Sequence, residues 1–214
     1  MTDPTIASVL QADVDLDPHW VAENIEFGHE RLVRIPGRYR DAVVTVPEVK
    51  TWLAQLVMES AIQAGPNRPP RIAVGRSLLI LGPVGTGKTF EAYGAIRALL
   101  VSGASCSWIC APAADIYAAM RPRSGSDPEA VFEKYAHIQF LVVDDLGAAK
   151  NSEWVEEINY RLVNYRYERE LPTLITSNLP PKNLAAELGE RVASRLVEMC
   201  DRVVLEGPDR RRAA

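Results

Sequence analysis

Residues 81–90 read LGPVGTGKTF, three glycines and a lysine set between an apolar run and a segment of helical spacing. Glycine reaches backbone conformations closed to other residues, so Gly82, Gly85 and Gly87 permit a tight curl whose N–H groups converge on an anion. The pattern G-x-x-x-x-G-K-[ST] sets Lys88 on the β- and γ-phosphates of a nucleotide and the Thr89 hydroxyl on Mg²⁺, and the helix that follows contributes its positive end. Pro83, Val84, Thr86 and Phe90 complete the expected ATP-binding set. RSLLIL (76–81) predicts a buried strand before the loop. TFEAYGAIRALLV (89–101) predicts a helix after it through Phe90, Tyr93, Ile96 and Leu100. A merely flexible glycine-rich turn is the competing reading, and these flanks weigh against it.

A phosphate loop needs a carboxylate at the end of a neighbouring strand. HIQFLVVDDLG (137–147) supplies an apolar strand ending in two. Asp144 is the candidate Mg²⁺ partner and Asp145 the group that polarises an attacking water. LPTLITSNLP (171–180) adds a third strand ending in Ser177 and Asn178, and an amide there can orient a water between γ-phosphate and carboxylate. In isolation Ser, Asn and Pro also mark ordinary turns.

The chain has 214 residues, 47% hydrophobic and 24% charged, enough for one α/β domain with a short extension and too few for two large domains. Its net charge of −4 argues against generic polyanion binding over the whole surface, so any DNA contact is expected to be local. Cys106, Cys110 and Cys200 lack metal-ligand spacing and read as reduced, packed thiols. There is no secretory leader pattern and no apolar run approaching membrane-spanning length, so a cytoplasmic location is expected.

Residues 1–34 form an acidic arm, with Asp3, Asp13, Asp15, Asp17, Glu23, Glu26 and Glu30 and no Lys or Arg before residue 31. Asp17 and Pro18 predict the cap and first position of a short helix there, either a docked solvated element or a grip for a partner protein. Residues 35–75 read as a turn-rich linker, a second helix and a Pro/Gly loop, and the nucleotide-binding core runs from 76 to 214. Strand-like runs at 78–81, 105–110, 138–144, 172–177 and 202–206 alternate with helical patterns, which predicts a five-stranded parallel sheet flanked by helices.

Arg191 and Arg195 lie four apart on one helical face and are candidates to neutralise transition-state charge at a neighbouring subunit's nucleotide; solvated or ion-paired surface arginines are the alternative. MRPRSGSDPEAVFEKY (120–135) offers Met120, Arg121, Arg123, Phe132, Lys134 and Tyr135 for single-stranded DNA, basic groups for phosphates and aromatics for bases. A loop followed by an amphipathic helix explains the same residues.

The ordered series GPVGTGKT, FLVVDDLG, NYRYERELPTLITSNL, LGERVASRL and VVLEGPDRR resembles the AAA+ ATPases of the DnaC/IstB type, the bacterial and phage helicase loaders and transposition helpers, over roughly residues 35–212. The resemblance implies a P-loop AAA+ core. It makes Lys88 and Thr89 Walker A residues, Asp144 and Asp145 Walker B, and Asn178 sensor 1. It favours Arg195, then Arg191, as the arginine finger, and sets Arg211 near the terminal sensor arginine. Asp145 stands where many AAA+ proteins carry Glu. The few residues after the last strand imply no full C-terminal lid domain, and the arm lacks the cysteines of a zinc-binding module.

The resemblance implies a Mg²⁺-dependent ATPase that assembles as a homo-oligomer, binds single-stranded DNA and loads a replicative helicase. A transposition helper acting with a transposase and a nucleotide-gated binding protein with little turnover are the alternatives. A nucleotide kinase would need an acceptor pocket and an arginine-bearing lid, for which only RPRSGSDP (121–128) is a candidate, and no base-reading N-K-x-D stretch supports a GTPase.

Overall fold

The computed structural model describes residues 17–149 and 152–209. In chain order its elements are α1 (Pro18–Arg31), α2 (Pro47–Ala64), β1 (Ser77–Leu81), α3 (Lys88–Leu100), β2 (Trp108–Pro112), α4 (Ala113–Met120), α5 (Pro128–His137), β3 (Phe140–Asp144), α6 (Glu153–Glu168), β4 (Thr173–Ser177), α7 (Leu184–Leu188), α8 (Glu190–Met199) and β5 (Cys200–Val204). Two compact units divide the chain: residues up to 75 together with 89–107, and residues 76–88 together with those from 108 onward.

The second unit holds the sheet. All five strands are parallel, in the order β2-β3-β4-β1-β5. Every residue of β1, β3 and β4 is buried, as expected of central strands covered on both faces. On one face Leu79, Leu81, Leu141, Val143 and Ile175 meet Ile116, Tyr117 and Met120 of α4, Ile158 and Leu162 of α6, and Leu196 of α8. The buried Tyr117 hydroxyl donates to Asn159 Oδ1 at 2.6 Å, and burial pushes its pKa up to about 12.

The run expected as a strand at 105–110 is displaced to Trp108–Pro112. The backbone of Ser105 is engaged elsewhere: its N–H donates to Pro70 O and its carbonyl accepts from Ile72 N–H, an isolated bridge within the first unit. That unit is bound by close contacts. Asp17 caps α1 by accepting from His19 N–H at 2.9 Å. Gly28 packs so tightly that a Cβ would lie 1.6 Å from Leu100 O. Residues 39–46 are strapped along α3: Tyr39 stacks on Tyr93 at 4.4 Å, Arg97 donates to Ala42 O, and the fully buried Glu91 carboxylate accepts from Thr45 N–H, the Thr45 hydroxyl and Val46 N–H.

Arg166 on α6 is 1% exposed and, among the described residues, has no carboxylate partner. Its Nε donates to Thr173 Oγ1, Nη1 to Tyr135 O, Ala136 O and Ile138 O, and Nη2 to Gln139 O and Pro172 O. The carbonyls at the C-terminal end of α5 carry partial negative charge and replace the missing anion. Burial lowers the Arg166 pKa to about 9, which leaves the cation intact at neutral pH. A lysine cannot span this planar array. Arg166→Lys is therefore expected to lower unfolding free energy by about 3 kcal/mol, measured by urea denaturation, against less than about 1 kcal/mol for the exposed Arg169→Lys.

Candidate functional site

A parallel sheet brings the C-terminal ends of its strands to one edge, and β4 lies between β3 and β1. Leu81 is in register with Ser177, and Val143 with Ile175, so the loop after β1, the carboxylates after β3 and the amide after β4 converge. The loop is tied to the sheet on both sides: Gly82 N–H donates to Ser177 O at 3.2 Å, and Leu205 N–H donates to Leu81 O at 2.7 Å. Gly82 has φ +150°, and a Cβ there would stand 2.4 Å from Leu205 O, so only glycine fits this exit.

Lys88 is buried, and its ammonium donates to Gly82 O at 2.7 Å, Pro83 O at 2.9 Å and Asn178 Oδ1 at 2.5 Å. Asn178 Nδ2 in turn donates to Asp145 Oδ1 at 3.1 Å. The amide thus turns its oxygen to the cation and its nitrogen to the anion, the one orientation that satisfies both. Thr86 closes the loop by donating from Oγ1 to Pro83 O at 2.9 Å. Pro83 and Val84 are exposed at its tip, while Thr89 and Phe90 follow, half-buried, in the first turn of α3.

Thr176 was not among the expected site residues, and it holds both carboxylate-bearing positions. Its buried hydroxyl donates to Asp144 Oδ1 at 2.6 Å and accepts from Asp145 N–H at 2.9 Å. Asp145 has φ +55°, a left-handed conformation that aspartate tolerates better than most residues. Leu146 N–H donates to Thr176 O, and the Ser177 hydroxyl donates to Leu146 O at 2.6 Å, completing a lattice between DDL and ITS. The signal was present in TSN as two hydroxyls before the amide, but such clusters also punctuate turns.

Arg191 and Arg195 do not join this network; both lie on α8 against tyrosines of α6. Arg211 and the acidic residues Asp3, Asp13 and Asp15 lie outside the described residues. Of the residues expected at DNA, Met120, Phe132 and Tyr135 are buried in the core, so they are not available to stack on bases. The helix between the basic loop and β3 is amphipathic, and its aromatics face inward. Arg121, Arg123 and Lys134 are exposed.

The family model described as IstB-like ATP binding protein matches residues 72–212, which include every group of this network. The chain belongs to that family. It is similar to the replicative helicase loader DnaC of Escherichia coli strain K12, with 30% identity over 123 residues, 56% of this chain and 49% of the relative. The chain thus spans about half the length of the curated relatives it matches. A crystal structure of the DnaC helicase loader superposes with TM-score 0.64 at 21% identity, covering 79% of this chain and 99% of that one. AMPPCP-bound DnaA from Aquifex aeolicus superposes with TM-score 0.58 at 22% identity, covering 78% and 50%. These structures share the P-loop AAA+ fold with the family member described above. No helix among the described residues is long and apolar enough to cross a membrane.

Thr176→Val keeps the shape but removes the hydroxyl that donates to the buried Asp144 carboxylate and accepts from Asp145 N–H. It is expected to cost about 1–3 kcal/mol in urea denaturation, with Thr176→Ser recovering most of the loss.

Proposed function

We propose that this chain is a Mg²⁺-dependent ATPase of DNA replication that assembles with ATP, engages single-stranded DNA and loads a replicative helicase. The observation that carries the nucleotide part is the continuous chain Lys88–Asn178–Asp145, joined through Thr176 to Asp144 at the strand ends. The helicase part rests on likeness to relatives named as replicative helicase loaders. The domain reading that accompanies it has the acidic arm (1–34) as the partner grip and the nucleotide-binding core from residue 76.

The donor set fits Mg-ATP. Gly85 and Gly87 have φ of +85° and +98°, which lets the loop curl its amides toward one anion, and a lysine and a carboxylate flank it. Lys88 would hold the β- and γ-phosphates, and Thr89 with Asp144 would hold the metal. Bound there, Mg²⁺ supplies charge neutralisation for the phosphate oxygens. In hydrolysis Asn178 orients a water, Asp145 accepts its proton, and the new P–O bond forms as the bond to the β-phosphate oxygen breaks, releasing ADP and phosphate. Arg195 of a neighbouring copy, with Arg191 second, neutralises charge on the transferred group.

Lys88→Ala is expected to abolish ATP binding in a fluorescence titration. Asp145→Asn should bind ATP within about threefold of wild type while phosphate release falls by about tenfold or more, and light scattering should show longer-lived assemblies on single-stranded DNA. Unchanged turnover in Asp145→Asn removes it as the catalytic base. Lys88-independent binding removes the nucleotide site itself. Nucleotide-dependent assembly with negligible wild-type turnover would select the gated binding protein instead.

A further inference from the structure

The surface of α6 that faces α8 is built around one arginine. Tyr160, Asn164 and Tyr167 have the i, i+4, i+7 spacing that lines one face of a helix. The Arg195 guanidinium lies 4.9 Å from the Tyr167 ring centroid and 5.8 Å from that of Tyr160, and its Nε donates to Asn164 Oδ1 at 2.5 Å. The holders are themselves held: Asn164 Nδ2 donates to Glu168 Oε1 at 2.8 Å, and the Tyr167 hydroxyl donates to Glu198 Oε1 at 2.6 Å.

Carboxylates hold three of the described arginines. Arg76 pairs with Asp201, Arg161 with Glu129 and Arg169 with Glu168. The carboxylates bonded to the holders of Arg195 are engaged elsewhere: Glu168 accepts from Asn164 and pairs with Arg169, and Glu198 accepts from Tyr167. Among the described residues Arg195 makes no ion pair and its two terminal amino groups make no hydrogen bond. Arg191, one turn away, touches Tyr160 at 5.6 Å and is likewise without an ion pair. Two like charges four apart on a helix repel. Aromatic faces and an amide fix the guanidinium plane without spending its charge, and a planar fork so held is suited to a phosphate.

We propose that Tyr160, Asn164 and Tyr167 are positioning residues that pre-organise Arg195, with Arg191 beside it, to grip the phosphate chain of a nucleotide bound by a second copy of this chain. This rests on the reading of the P-loop as a nucleotide site reached by Arg195 of a neighbouring copy, and adds the residues of α6 that hold that arginine in position.

The test uses the full chain with Mg-AMPPCP, which reports association without turnover, in sedimentation velocity, alongside a titration of AMPPCP binding and phosphate release with ATP. Asn164→Asp, which sets a carboxylate against Nε, is expected to weaken AMPPCP-dependent self-association and to lower kcat, each by about tenfold or more, with nucleotide affinity within about twofold of wild type. Tyr167→Leu removes the ring and is expected to lose about fivefold or more, whereas Tyr167→Phe keeps the ring and should stay within about twofold. Wild-type association in both Asn164→Asp and Tyr167→Leu overturns the proposal, as does a Tyr167→Phe defect equal to that of Tyr167→Leu. A wild-type chain that binds AMPPCP but does not self-associate overturns it while leaving the nucleotide site standing. A chain that fails to bind AMPPCP overturns both.

Discussion

A buried ammonium needs acceptors for its protons, and the way Lys88 meets that demand organises the second unit. Among its acceptors are two carbonyls of its own loop and the Asn178 amide one residue beyond β4. The curl of the loop and the position of the β4 terminus are therefore one constraint. Asn178 extends that constraint to Asp145, and Thr176 extends it to Asp144, so three strand ends share a single hydrogen-bonded framework. Such a framework favours one arrangement of charges, the condition for electrostatic work on a phosphate with little reorganisation.

α6 links this framework to the rest of the unit by sorting its residues between faces. Val155, Ile158, Leu162 and Val163 enter the core, and Asn159 receives Tyr117. Arg166 reaches the carbonyls at the end of α5 and the start of β4, anchoring the strand whose far end carries Asn178. Tyr160, Asn164 and Tyr167 point instead toward α8. One amphipathic helix thus supports the strand that carries Asn178 from within and holds an arginine of α8 from without.

Local chemistry was legible in the sequence wherever spacing along the chain carries it. The loop from Gly82 to Thr89, the paired aspartates and the strand–helix alternation belong to that class. The placement of β4 between β1 and β3 is non-local, and without it the contacts of Asn178 and Thr176 could not be read. The same holds for Arg166, whose partners come from α5, the α5–β3 turn and the start of β4. Phe132 and Tyr135 stayed open between two readings in the sequence because an amphipathic helix and a base-stacking surface use the same residues. Burial, which sequence alone does not report, decides between them. The strand expected at 105–110 moved because Ser105 had found partners at Pro70 and Ile72.

The left-handed backbone at Asp145 bears on the choice of acid at that position. Resemblance to AAA+ proteins leads one to expect glutamate, whose longer side chain reaches further. At φ +55° most side chains meet the following carbonyl at a cost of about 1 kcal/mol. Aspartate and asparagine are among the few that enter this region readily, because their short polar ends bond locally. The shorter acid and the tight turn are compatible, and the Asn178 amide holds its carboxylate in place. Handedness of the chain, as well as the length of a side chain, therefore bears on which carboxylic acid stands here, although Glu170 at φ +51° shows that the longer acid can also enter this region.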